Sequence, residues 1–386
     1  MQPPARGVVI TGYGTVSPLG GGVAALWEGL VAGRSAVAPI AGFPAEDLAP
    51  RAAAEVREPA IDDPDRAGAF ALRAAAEALA DAGLDATPPA RLGVALGTTL
   101  GGMRLFETWT AGTPTADLAR VPYFAPAVRL ARARGCRGPV ATTQLACASG
   151  THAVALAADW VRNGRADAVL AGGTDLLCRF VVAGFNCLRA TAEVARPFDA
   201  ERRGLVLGEG AAVLVVEDAE RARARGARVR ARLVGVGAAG DATHMTAPDR
   251  EGGGARRAML AALADAGLPA TAVEFVSAHG TGTPYNDAME AVAIAGVFGA
   301  GRVPVNSIKG AIGHSLGAAG AFEAIVCIET LAHGVIPPTV GLRAVDPACA
   351  ALDIVHGAAR RRAVGVALST SSGFAGTNAA LVLARP

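Results

Sequence analysis

The stretch ACASGTHAVALAADWVRNGRADAVLA, residues 146–171, places a glycine-terminated helix directly before a short strand. Small and apolar residues over 150–163 predict a mostly buried helix, and Gly164 after them is typical of a helix C-terminus. The apolar run 168–171 then predicts a buried strand. A helix that leads into a buried strand is part of a βαβ unit, which indicates an α/β fold.

The same alternation extends outward in both directions. Short apolar runs predict strands at residues 8–11, 92–96, 168–171, 212–217, 229–236, 275–277, 303–305 and 379–383. Helical stretches lie between them, at 67–82, 150–163, 254–266 and 288–298. The pattern restarts after an arginine-rich segment, so we predict two similar βαβ halves, residues 1–226 and 227–386. No Pro- or Ser-rich linker separates them, which favours a shared interface.

Composition excludes several classes of protein. Of 386 residues, 52% are apolar and 18% charged, and a net charge of +2 gives no field that demands nucleic acid. The arginines of 221–232 lack interleaved aromatic residues for base stacking. We assign them to a helix end and to the wet face of an edge strand. The longest apolar runs are far shorter than the ~20 residues of a membrane span.

The N-terminus and the cysteines indicate the compartment. Residues 1–7 lack a charged region followed by an apolar one, so no leader is predicted and we expect a cytoplasmic protein. The six cysteines form no C-x-x-C pair and no His/Cys cluster at metal spacing, so neither a zinc site nor a disulfide framework is predicted.

One cysteine has the setting of a nucleophile. Cys147 lies in Ala-Cys-Ala-Ser-Gly at the start of a predicted helix, where unpaired amides and the helix dipole favour a thiolate. Its small neighbours leave room for a substrate carbonyl to reach the sulfur. The alternative, a small core hydrophobe, is the interpretation that we keep for the other five cysteines.

Two histidines lie on glycine-lined turns. His279 follows the predicted strand 275–277 and precedes Gly-Thr-Gly-Thr, which includes Thr281 and Thr283. His314 follows Gly313 and precedes a stretch rich in glycine and alanine. A lone histidine is more often a hydrogen-bonded core residue, but the strand end, the threonines and Asp287 together favour a functional role for His279.

Lys309 is the only lysine among 36 basic residues, and it lies five residues before His314. A lysine ammonium is a compact point charge, whereas an arginine guanidinium is a planar fork. A site that needs a compact charge would therefore not tolerate replacement of lysine by arginine. The alternative is a leftover surface lysine. Near the C-terminus, Phe374 stands among glycines, where it could act as a door over a pocket while loop amides stabilise an oxyanion; the alternative is an ordinary glycine hairpin.

These motifs resemble those of the elongating, Cys-His-His type of beta-ketoacyl-acyl-carrier-protein synthase. The resemblance runs end to end and also includes VITG at 9–12, SPLG at 17–20, RPFD at 196–199, GEG at 208–210 and GFAGTN at 373–378. It implies a thiolase-like fold with layers in the order α-β-α-β-α. A thiolase would use a second cysteine and coenzyme A, and a priming synthase would use Cys-His-Asn.

The resemblance also implies a mechanism. Cys147 would take an acyl chain from the phosphopantetheine thiol of an acyl carrier protein. His279 and His314 would then assist the loss of CO2 from a malonyl-carrier thioester and hold the enolate for a Claisen condensation. The amides of Cys147 and Phe374 would hold the oxyanion. No metal or other cofactor is implied.

Further residues receive roles only by this likeness. Thr281 and Thr283 would grip the pantetheine arm. Lys309 would brace His314, with Glu323 as its ion-pair partner. Three apolar residues would line the acyl pocket, to which a dimer mate also contributes: Leu100, Phe124 and Phe185.

Several positions depart from the family pattern. Ala375 stands where a glycine is usual, which should stiffen the gate or tighten the space beside the oxyanion. Arg203 and Leu205 stand where acidic and aromatic residues are usual, and the segment 186–195 looks shortened. These departures favour a specialised polyketide or polyene pathway over housekeeping fatty-acid synthesis. We expect surface arginines near the tunnel mouth, Arg202 and Arg203 among them, to bind the acidic carrier.

A different class of protein stays open as an alternative. The chain could be a non-catalytic subunit of the chain-length-factor sort, which shapes the pocket of an active synthase within a heterodimer. Such subunits lack the nucleophile, whereas Cys147 is present here. The sequence does not choose between a homodimer and a heterodimer with a related subunit.

Overall fold

The computed structural model of the chain describes residues 6–58, 61, 63–86, 89–112 and 117–386. Residues 1–5, on which the leader interpretation partly rests, lie outside the described residues. The strands are β1 (Val8–Ser17), β2 (Gly20–Gly21), β3 (Val37–Pro39), β4 (Ala52–Ala54), β5 (Leu92–Gly97), β6 (Val140–Thr143), β7 (Ala168–Asp175), β8 (Leu207–Gly208), β9 (Gly210–Asp218), β10 (Ala231–Gly240), β11 (Phe275–Ser277), β12 (Pro304–Asn306), β13 (Val335–Ile336), β14 (Asp353–Ile354), β15 (Arg360–Arg361), β16 (Val366–Gly373) and β17 (Thr377–Ala384). The helices are α1 (Gly22–Val31), α2 (Arg66–Ala82), α3 (Met103–Thr110), α4 (Ala125–Ala133), α5 (Ser149–Arg162), α6 (Arg179–Cys187), α7 (Ala219–Ala224), α8 (Gly253–Ala266), α9 (Pro284–Phe298), α10 (Lys309–Ile312) and α11 (Ala319–His333).

Two groups of five strands have the same order and the same directions. The first group runs β6-β5-β7-β9-β1 and the second β12-β11-β16-β17-β10, with β14 outside β12. In each group the first three strands are parallel, and each of the last two is antiparallel to the strand before it. Strands β1 and β10 pair at Val9↔Arg232 and Ile10↔Ala231, which joins the groups. The prediction of two similar halves within an α/β fold is confirmed; the boundary at residue 226 stays a prediction.

Helices cover both faces of each group. Helices α2 and α4 pack on the outer face of the first group, α5 and α11 lie between the groups, and α8 covers the second group with α9 packed on it. This is the predicted α-β-α-β-α order. The stretch Leu316–His333 is long and apolar enough to cross a membrane by length and composition, and 89% of it is buried inside the protein. It is therefore the central core helix, apolar on nearly all sides.

Two predictions about the strands are wrong. Strand β1 does not end at Gly12 but continues to Ser17. Its glycines serve close packing on α2, since a Cβ on Gly12 would lie 2.3 Å from the Ala78 carbonyl oxygen. Strand β10 is not an edge strand, because it lies between β1 and β17.

Three of the six arginines of 221–232 pair with acidic side chains of the first half. Arg221 lies 3.1 Å from Asp167, and Arg225 lies 2.8 Å from Glu217. These pairs give the segment a structural role and leave less free charge for a polyanion.

Candidate active site

The loop between β6 and α5 carries Cys147, which is 7% exposed. Ala146 before it has φ 48°, a left-handed conformation that costs about 1 kcal/mol in a non-glycine residue. The Ser149 hydroxyl holds this turn, since it donates to the Ala146 carbonyl (2.6 Å) and accepts from the Leu145 amide (2.8 Å). Thr377 donates to the Leu145 carbonyl at 3.0 Å. The strained turn therefore points the sulfur into the site with support from both halves of the chain.

Three side chains converge at this point. The Cys147 sulfur and ring nitrogens of His279 and His314 lie within 4.8 Å of one another. The two imidazole rings meet edge to face, with centroids 5.1 Å apart and planes at 85°. Within the described part of the chain, this is the one His/Cys/Asp/Glu group whose donor atoms converge at metal-binding range. That the chemistry needs no metal stays a prediction.

Two carboxylates on α9 hold the loop of His279. Glu290 accepts the amides of His279 (2.6 Å) and Gly280 (2.7 Å). Asp287 accepts the Thr281 amide at 3.0 Å. Asp287 was predicted from the sequence, whereas Glu290 was not. Their spacing of three residues puts both on one helix face, and this signal could have found the second carboxylate.

Lys309 is 2% exposed and forms an ion pair with Glu323, as the resemblance implied. Its ammonium lies 3.3 Å from Nδ1 of His279 and also donates to the His279 carbonyl. It therefore braces His279 by direct contact, whereas only its charge acts on His314, so the predicted electrostatic brace of His314 stays a prediction. Nearness in sequence did not predict the contact with His279, because the lysine side chain crosses to the end of the neighbouring strand. Nδ1 of His314 is buried and has no hydrogen-bond partner among the described residues.

Burial decides the protonation states in the site. It holds the pKa of both His279 and His314 well below the ordinary value, and the charge of Lys309 lowers both further. Burial also raises the pKa of the Cys147 thiol to about 12, although Lys309 opposes this. Burial therefore opposes the expected thiolate. It favours a thiol beside two neutral imidazoles, and an imidazole nitrogen can accept the thiol proton.

A cavity of 350 Å³ leads to Cys147 from the surface. Thr281 and Thr283 line it, and their hydroxyls lie 2.9 Å apart. Phe185 and Phe374 also line it, and their rings stack with centroids 5.7 Å apart. The aromatic pair and the threonines thus line the path from the surface to Cys147.

Two of the predicted acyl-pocket residues do not line this cavity. Leu100 is in the buried cluster around Cys147. Phe124 is 58% exposed and does not line the cavity of a single chain, so its place in a pocket completed by a dimer mate stays a prediction. Arg202 was predicted to bind the carrier but is 8% exposed, because Asp346 and Asp287 pair with its guanidinium. Arg203 is exposed and lines the cavity.

The departures from the family pattern gather around this cavity. Ala375 has φ 62°, the left-handed region that favours glycine, and its amide donates to the Met245 carbonyl at 2.6 Å. Leu205 lines the cavity, as do residues 188–190 of the segment that looked shortened. Most of the positions that set this chain apart thus line the cavity, and Ala375 lies between Phe374 and Gly376, which also line it.

Cysteine exposure changes one expectation. Cys178, Cys327 and Cys349 are buried, as expected of core cysteines, and Cys136 is half-buried. Cys187 is exposed at the end of α6, because its side chain lies outside the helix face that packs on the core. A thiol reagent therefore meets a second accessible cysteine besides Cys147.

A cysteine and two histidines at the junction of two similar α/β halves define a condensing enzyme of the thiolase-like class. Comparison with known proteins agrees. The N-terminal domain of beta-ketoacyl synthase matches residues 5–222 and the C-terminal domain matches residues 230–343. The chain belongs to the beta-ketoacyl synthase family, and it is a ketosynthase.

Individual relatives cover nearly the whole chain. A 3-oxoacyl-[acyl-carrier-protein] synthase 2 of Coxiella burnetii is 39% identical over 409 residues, covering 98% of this chain and 99% of the relative. The solved ishigamide ketosynthase/chain length factor is 38% identical with a TM-score of 0.92, over 99% of this chain and 100% of that one. A type II polyketide synthase ketosynthase, solved with its acyl-carrier protein and bound to the hexaketide, is 30% identical with a TM-score of 0.90, over 99% and 100% of the two chains.

Proposed function

We propose that Cys147 is the acyl-accepting nucleophile of a decarboxylative condensation with a malonyl thioester. The convergence of its sulfur with His279 and His314 within 4.8 Å carries this proposal. In the first step the thiol proton passes to a neutral imidazole and the sulfur attacks the incoming acyl thioester. The pantetheine thiol leaves with that proton, and an acyl-enzyme remains.

The oxyanion of each tetrahedral intermediate is held by two amides. Cys147 supplies one amide and Phe374 the other. The close approach of the two loops supports this pairing, since a Cβ on Gly373 would lie 3.0 Å from the Cys147 amide nitrogen. The Phe374 ring, stacked on Phe185, acts as the gate that admits the thioester.

The second substrate is a malonyl thioester. Its carbon–carbon bond to the carboxylate breaks, CO2 leaves, and the electron pair remains as an enolate that His279 and His314 stabilise with hydrogen bonds. The enolate carbon attacks the acyl group on Cys147, and the Cys147 thiolate leaves and takes up a proton from solvent. Lys309 and Glu323 keep His279 in place. All steps use side chains of this chain and the pantetheine thioesters, without a resident cofactor.

Intact-mass analysis tests the proposal. The enzyme is incubated with a panel of acyl-carrier thioesters, and each substrate is expected to add the mass of its acyl group to Cys147. Cys187→Ser is the matched background, because it removes the exposed cysteine. Acyl groups that survive a Cys147→Ala change, or no β-ketoacyl product with any member of the panel, would remove the nucleophile assignment.

The substrate belongs to a specialised polyketide or polyene pathway in this proposal. Ala375, Arg203 and Leu205 support it, because all three depart from the family pattern beside the substrate path. Two relatives, one solved with a chain length factor and one with a bound hexaketide, support a substrate of this kind. Kinetics that show an ordinary preference for saturated long-chain acyl-carriers would contradict it.

The partners follow from the substrates. We place an acyl carrier protein at the cavity mouth, where exposed Arg203 and Arg189 face its acidic surface. The enzyme acts as a homodimer or as a heterodimer with a related subunit, in the cytoplasm. Arg203→Glu is expected to raise the KM for the carrier while leaving the KM for a small pantetheine thioester unchanged. Equal effects on both KM values would count against docking at this mouth.

A further inference from the structure

A buried carboxylate lies between two loops of the active site. Asp175, the last residue of β7, has no exposed surface. One of its oxygens accepts from the Thr98 hydroxyl (2.8 Å) and the Leu100 amide (3.0 Å). The other accepts from the Thr99 hydroxyl (2.7 Å) and the Gly317 amide (2.7 Å).

The charge of this carboxylate is compensated by hydrogen bonds rather than by a cation. Burial raises the pKa of Asp175 to about 6, and the donors from Thr98, Thr99 and Gly317 oppose that rise. The N–H and O–H groups that donate to both of its oxygens favour the ionised carboxylate. A buried charge of this kind depends strongly on the position of each donor, so a movement of one loop changes how tightly the other is held.

The first loop packs beside the nucleophile. Leu100 is 6% exposed and belongs to the same buried cluster as Cys147 and Leu316. In the proposed function an acyl chain on the Cys147 sulfur extends into this cluster, and a close-packed cluster makes room only by moving side chains. Because the Leu100 amide donates to Asp175, a shift of Leu100 reaches the carboxylate directly.

The second loop follows His314. Gly317 lies in the turn Leu316–Ala318, three residues beyond the histidine. Leu316 has φ 50°, a conformation that branched residues adopt only where the surroundings hold it. The turn packs tightly on β7, since a Cβ on Gly173 would lie 2.3 Å from the Gly317 carbonyl oxygen. The hydrogen bond from Gly317 to Asp175 is one of the contacts that keep this strained turn in place.

We propose that Asp175 is a positioning residue that couples occupation of the acyl pocket at Leu100 to the turn after His314, so that malonyl decarboxylation is fast only when Cys147 carries an acyl chain. This inference rests on the proposed function. Without an acyl group on Cys147, the enolate left by CO2 can only take a solvent proton, and an acetyl thioester is lost from the reaction. Coupling through Asp175 suppresses that loss.

The test separates decarboxylation from condensation. Cys147 is alkylated, in a Cys187→Ser background, either with a long-chain alkyl chloroacetamide that fills the pocket or with iodoacetamide, which adds a small group. Neither adduct can accept the enolate, so CO2 release from a malonyl-carrier thioester reports decarboxylation alone. In the wild-type chain we expect the long-chain adduct to release CO2 about tenfold faster than the short one.

Asp175→Asn is the informative variant. It keeps the shape of the side chain and one oxygen but turns an amide NH2 toward hydrogen-bond donors. We therefore expect the rates of CO2 release by the two adducts to differ by less than about twofold. Thr99→Val removes only the hydrogen bond from the Thr99 hydroxyl to Asp175. We expect its ratio of CO2 release, long-chain over short-chain adduct, to lie between those of the wild type and Asp175→Asn. This variant also serves as the test should Asp175→Asn not fold. Thr174→Val is the matched control: it is equally buried on the same strand and donates to Ala67, and we expect it to keep the wild-type ratio.

Two results would overturn the proposal. One is a wild-type ratio near one, and the other is an Asp175→Asn or Thr99→Val enzyme with lower rates but an unchanged ratio, as expected of a purely structural residue. Failure of the proposed function looks different. In that case no acyl group forms on Cys147 and no adduct releases CO2.

Discussion

The two active-site histidines have opposite surroundings. His279 is tied at its amide to Glu290 and at Nδ1 to Lys309, which lies 3.3 Å away. His314 is held through its backbone, which donates to the Val206 carbonyl at 2.7 Å, while its Nδ1 has no partner among the described residues. One imidazole is thus fixed by charged groups, and the other is fixed only by the path of the chain.

This difference separates the tasks of the two rings. An ammonium at Nδ1 makes that nitrogen of His279 an acceptor, so its proton resides on Nε2 and can be donated to an enolate oxygen. His314 has no such partner to fix its tautomer, so it can both take and return a proton. We infer that His279 is the fixed donor and that His314 is the acceptor of the Cys147 proton.

The largest expected effect comes from removing each ring. His279→Ala and His314→Ala should each lower malonyl decarboxylation by about 10³-fold, because the enolate loses a hydrogen-bond donor. Acylation of Cys147 should survive in His279→Ala and fall sharply in His314→Ala. CO2 release and intact mass measure the two steps. Equal acylation in the two variants would break the division of tasks, and full condensation in either would remove the histidine from the mechanism.

The pH dependence of alkylation comes next. Because burial raises the pKa of Cys147 to about 12, the thiolate fraction should grow about tenfold per pH unit, or about a hundredfold from pH 7 to pH 9. The measurement is the rate of iodoacetamide labelling at Cys147 by mass spectrometry in the Cys187→Ser background. A plateau near neutral pH would show instead a stable thiolate–imidazolium pair with His314.

Two substitutions of Lys309 test how its charge and its shape act on His279 and Cys147. Since its charge lowers the pKa of Cys147, Lys309→Met should slow alkylation about tenfold at pH 8. Lys309→Arg keeps the charge but puts a planar guanidinium in place of a residue that is only 2% exposed. We expect malonyl decarboxylation to fall in both variants. A Lys309→Arg enzyme with undiminished condensation would show that a compact ammonium is not needed beside His279.

The smallest effect is expected at the gate. Ala375→Gly removes the cost of about 1 kcal/mol that alanine has in a left-handed conformation. The greater conformational freedom of glycine in the unfolded chain offsets this gain by a similar free energy. The free energy of unfolding from urea titration should therefore change by less than about 1 kcal/mol, while acylation of Cys147 becomes faster. Ala242→Gly, at φ 56° outside the gate turn, is the control and should leave acylation unchanged. Slower acylation of Cys147 in Ala375→Gly would contradict this prediction.

Local patterns were sufficient for the framework of the molecule. Periodicity and glycine punctuation predicted both halves, and short motifs identified Cys147, His279 and His314, because strand ends and glycine turns leave a signature within a few residues. The contact between Lys309 and His279 was not predictable in this way. It spans 30 residues and depends on how β11 lies against α10.

The remaining errors come from burial, which no local pattern reports. Arg202 and Arg203 are adjacent in sequence, yet one is enclosed by Asp346 and Asp287 and the other faces the cavity. Cys147 was expected to be a thiolate from its place before a helix. Enclosure by both halves of the chain outweighs that local field.

The lone lysine makes the active site observable by spectroscopy. Biosynthetic labelling with lysine enriched in ¹³C at the ε-carbon would give this protein a single side-chain resonance, because the sequence contains no other lysine. That signal would come from the ammonium that touches His279 and Glu323. Its chemical shift could be followed through acylation, carrier binding and turnover without any need for assignment, so each stage of catalysis would be reported from the centre of the molecule.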